Sequence, residues 1–270
     1  MTGGAERPKH CVLLRDSARF DAPSVAVVLA GRSKLTAENL LPVVRRGWGI
    51  LAEGAPAEET EALAQALTAA GRPALAAPAS LIEEPASPVT VTKAELSGDG
   101  FDITAGKAHA ERERLVWTHL KVLSAGAVTS TNLKTVTEGP SLAEKSVRLG
   151  VTLATGLPMM GGKTTTRQVN EEVRVPFIEL CFDNPARRVR ILAAEFDYAA
   201  LGAKMSYSAE LNFRALVAEL AARAPGALRA RGARAILEKA PSGALAYESF
   251  DDATREERWL LTLAALKAAL

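Results

Sequence analysis

The chain has 270 residues, 48% hydrophobic and 24% charged, with a formal net charge of +2. This is ordinary globular usage. It excludes an intrinsically disordered chain, and the even spread of charge excludes the concentrated positive field that non-specific nucleic-acid binding needs.

With aromatic residues at only 5%, the core must rest mainly on Leu, Val, Ile and Ala. The opening MTGGAERPKH is polar and lacks the apolar stretch of a secretory leader. The longest weakly polar run, 149–160, is too short to cross a bilayer and is broken by Gly150, Gly156 and Pro158. A cytoplasmic protein without a transmembrane segment is therefore expected. Cys11 and Cys181 lie in apolar runs without CxxC spacing, the pattern of buried, reduced thiols.

In chain order, residues 11–15 (CVLLR) read as a buried strand. Asp21 or Ser24 caps a helix that has Pro23 near its start and ends around Gly31. Thr36 opens a second helix, which Gly47 ends, and 48–52 is the next strand. Pro56 with Glu58, Glu59 and Glu61 starts a third helix, because carboxylates favour the positive end of the helix dipole. Leu63 and Leu67 mark its buried face, Gly71 its stop, and 74–77 a last strand. Strand, helix, helix, strand, helix, strand suits a small open-faced sandwich over residues 1–86. The stretch WGILAEGAPAEETEALAQALTAAGRPALAAP resembles the C-terminal domain of the bacterial ribosomal stalk protein and the related adaptor of the Clp protease. That resemblance implies a protein-docking role; the adaptor's pocket residues have no match in this chain.

The proline-punctuated stretch 83–88 predicts a domain boundary. Beyond it, residues 87–225 read as strands: 89–96 and 101–104 as a hairpin around Ser97, Gly98, Asp99 and Gly100, then 115–122, 125–129, 175–182 and 189–196. A helix capped by Ser208 follows, with Leu211, Leu216 and Leu220 on its apolar face and Pro225 at its end. GFDIT and ERLVWTHLKVLSA resemble the small bacterial proteins of the pleckstrin-homology class. The resemblance spans about 88–224 and implies an antiparallel barrel or sheet closed by a C-terminal helix. Residues 130–172 interrupt it and, being rich in Ser, Thr, Gly and Lys, are expected to be mobile or to order on a partner. Residues 226–270 form a helical extension with Trp259, Leu260, Leu263, Leu266 and Leu270. The fold class expected is thus α+β.

Chemistry-bearing patterns are sparse. Residues 156–164 (GLPMMGGKT) resemble a phosphate-binding P-loop, but Gly156 and Gly162 enclose five residues instead of four, and no apolar helical stripe follows. No nucleotide site is assigned. His10, His109 and His119 lack metal-ligand spacing, and a Cys181–His119 nucleophile pair lacks any activating context. The pairs Glu58-Glu59, Glu83-Glu84, Glu171-Glu172 and Asp251-Asp252 fit helix starts or solvated linkers. Arg187, Arg188 and Arg190 follow the late hairpin turn; they are the candidate ligands for a phosphorylated head group, or else a charged guard on a sheet edge. No catalytic residue, cofactor or metal is assigned. The leading expectation is a non-enzymatic, adaptor-like protein with a protein partner. The alternatives are an anionic-lipid or phosphoinositide-type binder using the 187–190 hairpin, and an enzyme with an unrecognised site.

Overall fold

The computed structural model describes residues 9–105, 111–138, 165–184 and 186–269. It is a mixed α+β chain divided into two compact units, one taking in Met1–Val128 and Val175–Leu270, the other Thr129–Arg174. The segment 83–88 lies inside the first unit. No described helix is long and apolar enough to cross a membrane.

The N-terminal elements follow the expected order: β1 (His10–Leu14), α1 (Ala22–Ala30), α2 (Ala37–Gly47), β2 (Ile50–Ala55), α3 (Ala57–Ala69) and β3 (Ala74–Pro78). Local chemistry sets their limits. Asp21 precedes α1 with Pro23 in its first turn, and Thr36 Oγ1 accepts the Asn39 N–H at the start of α2. Glu58 and Glu59 occupy the first turn of α3. β1 is the centre of an antiparallel sheet ordered β2-β1-β3.

A second antiparallel sheet is the meander β5 (Ala94–Leu96), β6 (Gly100–Ala105) and β7 (Glu111–Val116). Trp117 does not continue β7. It opens a short 3-10 turn, Trp117–His119, and its indole donates to the Ser97 carbonyl at 3.0 Å. The third sheet joins β4 (Pro88–Thr90), β8 (Leu120–Glu138), β9 (Thr165–Asp183), β10 (Ala186–Leu192), β11 (Leu228–Arg229) and β12 (Ala246–Tyr247). It is mixed: β4, β11 and β12 each pair parallel to their neighbours. Each described sheet is open, so of the two expected forms the sheet holds and the closed barrel does not.

The strands on either side of 130–172 run further than expected, to Glu138 and from Thr165. The stretch as a whole is rich in Ser, Thr, Gly and Lys, but its two ends carry Thr131, Thr135, Val136, Thr137, Thr165, Thr166 and Val169, and β-branched side chains fit a pleated surface. Residues 139–164, with the P-loop-like segment, lie outside the described residues, as does His109.

Alternation along β8, β9 and β10 splits their side chains between two cores. Leu123, Ala125, Ile178, Leu180, Phe182, Val189 and Ile191 join the β5–β7 sheet, α4 (Ala209–Arg223) and α5 (Arg231–Leu237). Val122, Val128, Phe177 and Cys181 join the N-terminal elements and α6 (Phe250–Ala269). A strand buried on both faces reads as a continuous apolar run, which accounts for the FIELCF segment. α6 ties this second core together. The Trp259 indole donates to the Leu14 carbonyl at 2.8 Å, and Arg258 grips both Glu53 oxygens at 2.8 Å and Glu84 at 2.6 Å.

Candidate functional site

The three arginines read from sequence part company because a strand sends successive side chains to opposite faces. Arg187 stays near the surface and pairs with Glu113 at 2.9 Å. Arg188, 4% exposed, turns inward to Glu179 at 2.5 Å and Glu257 at 2.8 Å, both carboxylates fully buried. Arg190 also binds Glu179 and lies over the Phe250 ring at 4.1 Å. Two of the three guanidiniums are thus neutralised inside the protein. Sequence reading missed Glu179 and Glu257. The available signals were a lone acid inside an apolar strand segment, directly across from Arg190 in register, and an acid on the buried stripe of α6.

Burial, reinforced by the charge of Glu179, holds the Glu257 carboxyl well above the usual carboxylate range. Cys181 faces Glu257 at 3.8 Å, and burial together with that carboxylate pushes its thiol up, the opposite of activation. His119 turns instead to Asp183, at 2.9 Å. Burial and the Glu53 charge raise the Cys11 thiol to about 11. Among the described residues no group of three His, Cys, Asp or Glu side chains could hold a metal ion.

Solvent-facing chemistry gathers elsewhere, in a cleft of about 690 Å³ whose cationic lining is Arg45, Arg46, Arg231 and Arg255. α2 delivers Arg45 and Arg46 in its last turn, where its dipole favours positive charge. Arg231 opens α5, whose first turn is capped from outside. Glu256 of α6 accepts the Arg231 N–H at 2.7 Å and the Tyr247 hydroxyl at 2.6 Å, and Tyr247 in turn accepts the Gly232 N–H at 3.3 Å. The Arg231 guanidinium lies 4.8 Å from the Tyr247 ring centre and 5.4 Å from that of Trp48.

Trp48 is the strained element of this wall. It sits at φ 51°, ψ −123°, a region that bulky side chains avoid. Its indole holds it there by donating to the Asp252 carbonyl at 3.1 Å and carboxylate at 3.0 Å.

Two of the three acids lining the cleft are spoken for, and the third, Glu248, is exposed and makes no ion pair among the described residues. Asp21 pairs with Arg72 at 3.2 Å, and Asp252 receives Trp48 and lies 3.8 Å from Arg255. Arg45 and Arg46 are exposed and make no ion pair among the described residues. Comparison with protein-family models, with curated proteins and with solved structures finds no match. The cleft's own chemistry therefore carries the functional reading. It offers guanidinium donors in a fixed fork suited to phosphate or carboxylate oxygens.

Proposed function

We propose that this chain is an adaptor-like interaction protein that receives a phosphorylated or acidic segment of a partner protein in the arginine cleft. The observation that carries this reading is Arg45 and Arg46, without an ion pair among the described residues, on the same cleft as the Arg231 guanidinium braced by Trp48 and Tyr247. Val27 on α1 and Val43 on α2, each 62% exposed, offer apolar contact surface on the two helices that contribute to the cleft, which suits a polypeptide ligand. A binding role also agrees with where the strongly shifted groups lie: Cys181, Glu257 and Tyr247 are sealed in the core, out of a substrate's reach.

The test titrates the intact chain with a phosphoserine-bearing acidic peptide, its neutral counterpart, and phosphatidylserine vesicles. The acidic peptide should bind in a salt-dependent way. The double reversal Arg45→Glu/Arg46→Glu should weaken it by roughly tenfold or more, given the strength of charge-assisted hydrogen bonds, without moving the thermal midpoint. Binding that survives the double reversal would overturn the assignment. Binding to vesicles alone would transfer the cleft to an anionic membrane surface.

A further inference from the structure

Strand β3 is an outer strand of the N-terminal sheet. Leu75 stands opposite Leu13 and Ala77 opposite Cys11, and the ladder is flanked by Arg15 N–H to Pro73 C=O at 2.8 Å and Ala79 N–H to Lys9 C=O at 2.9 Å. Hydrogen bonding alternates along an antiparallel pair. Residues 75 and 77 therefore direct their backbone groups to β1, and residues 74, 76 and 78 direct theirs away from it. Natural edges are normally covered or blunted, and most of this one is. Thr68 Oγ1 of α3 donates to the Ala74 carbonyl at 3.3 Å and accepts the Ala74 N–H at 3.2 Å, and Pro78 has no N–H to offer. Ala76 is the exception: among the described residues nothing bonds its outward N–H or C=O.

Beside this edge runs a groove of about 610 Å³ between β3 and α3. Ala64, Ala69, Ala74 and Ala76 line it, so small side chains leave room next to the free backbone groups. Glu61, two helical turns before Thr68, lines it as well; its carboxylate is exposed and makes no ion pair among the described residues.

We propose that this groove takes an extended peptide that adds to β3 as a fourth strand, with small or apolar side chains over the alanines and a Lys or Arg against Glu61. The peptide residue opposite Ala76 forms a doubly hydrogen-bonded pair, and the Pro78 carbonyl supplies a further acceptor. A second copy of β3 fits less well, because its own Pro78 has no N–H to bring to Ala74. This surface is additional to the arginine cleft and selects the opposite charge.

The test uses the full chain with two fluorescent peptides, KVAVAV and its twin EVAVAV, followed by anisotropy and by amide hydrogen exchange. The Lys peptide should bind preferentially and slow exchange at Ala76. Glu61→Lys, an exposed charge reversal that leaves the core untouched, should swing the preference towards the Glu peptide by roughly tenfold, the scale of reversing one surface ion pair. Thr68→Ala, which removes the hydroxyl that covers the Ala74 groups, should tighten both peptides several-fold. Failure of both peptides to bind at millimolar concentration, a charge preference indifferent to Glu61→Lys, or unaltered exchange at Ala76 each overturns the proposal. Self-association in sedimentation without peptide binding would assign the edge to a second copy instead.

Discussion

Arg188 occupies a position where removal costs more than the contact is worth. Its guanidinium stands between the buried carboxylates of Glu179 and Glu257, and taking it away leaves Glu257 enclosed without its guanidinium and Glu179 with Arg190 alone. Arg188→Ala should therefore lower unfolding free energy by about 3–5 kcal/mol, measurable by urea denaturation; a loss below 1 kcal/mol would mean the pair is solvated. Glu257 makes a separate prediction. Its folded-state pKa is raised by burial, so its contribution to stability is fully present below the usual carboxylate value and is lost as pH rises through the higher folded value. Glu257→Gln removes that loss. Relative to the variant, the native chain should decline in urea midpoint as pH is raised from 5 towards 9, and a constant difference would contradict the assignment. The sequence displays Arg187, Arg188 and Arg190 plainly, and strand alternation alone separates Arg187 from the other two. What it does not display is the convergence of Arg45 and Arg46 with Arg231 and Arg255, which the chain assembles from elements some two hundred residues apart.

Elements bounded by strong local punctuation were legible. All six N-terminal elements lie in the expected order because caps, acidic first turns and glycine stops mark them, and the Ser208 cap, accepting the Leu211 N–H at 3.3 Å, opens α4 as its sequence predicts. Elements defined by distant partners were not. α5 has only seven residues and no side-chain cap of its own; Glu256 and Tyr247 supply one from further along the chain. Its fit also depends on Gly232, where an added Cβ would stand 2.0 Å from the Ala125 carbonyl oxygen of β8. Gly232→Ala forces helix and strand apart and should destabilise the protein by about 1–3 kcal/mol, with weaker anionic-peptide binding because Arg231 is displaced with it. Unchanged stability and binding would show that α5 can shift freely.

Across the first compact unit, the six-stranded sheet shares its two faces between the two cores. Neither core can lose its sheet without exposing the other, so the two should unfold together. Tryptophan reports on each: Trp117 belongs to one core, Trp48 and Trp259 to the other. Fluorescence-monitored urea curves of Trp117→Phe and of Trp48→Phe/Trp259→Phe, each compared with its own circular dichroism curve, should show coincident probes in both proteins. A fluorescence transition displaced from the dichroism curve would mean that the cores melt separately. The sequence, read in order, suggests modules in succession, because the apolar stripe of α6 does not announce which core it completes.

The reach of α6 back to β1 has a consequence for biosynthesis. Trp259 meets Leu14 across a separation of 245 residues. At bacterial-to-eukaryotic translation speeds of about 5–20 residues per second, the ribosome needs on the order of 10–50 s to cover that distance. Through that interval the nascent β1 region waits without its lid, sticky and available to wrong neighbours, so chaperone cover during synthesis should matter more for this chain than for one whose opening segment closes on itself.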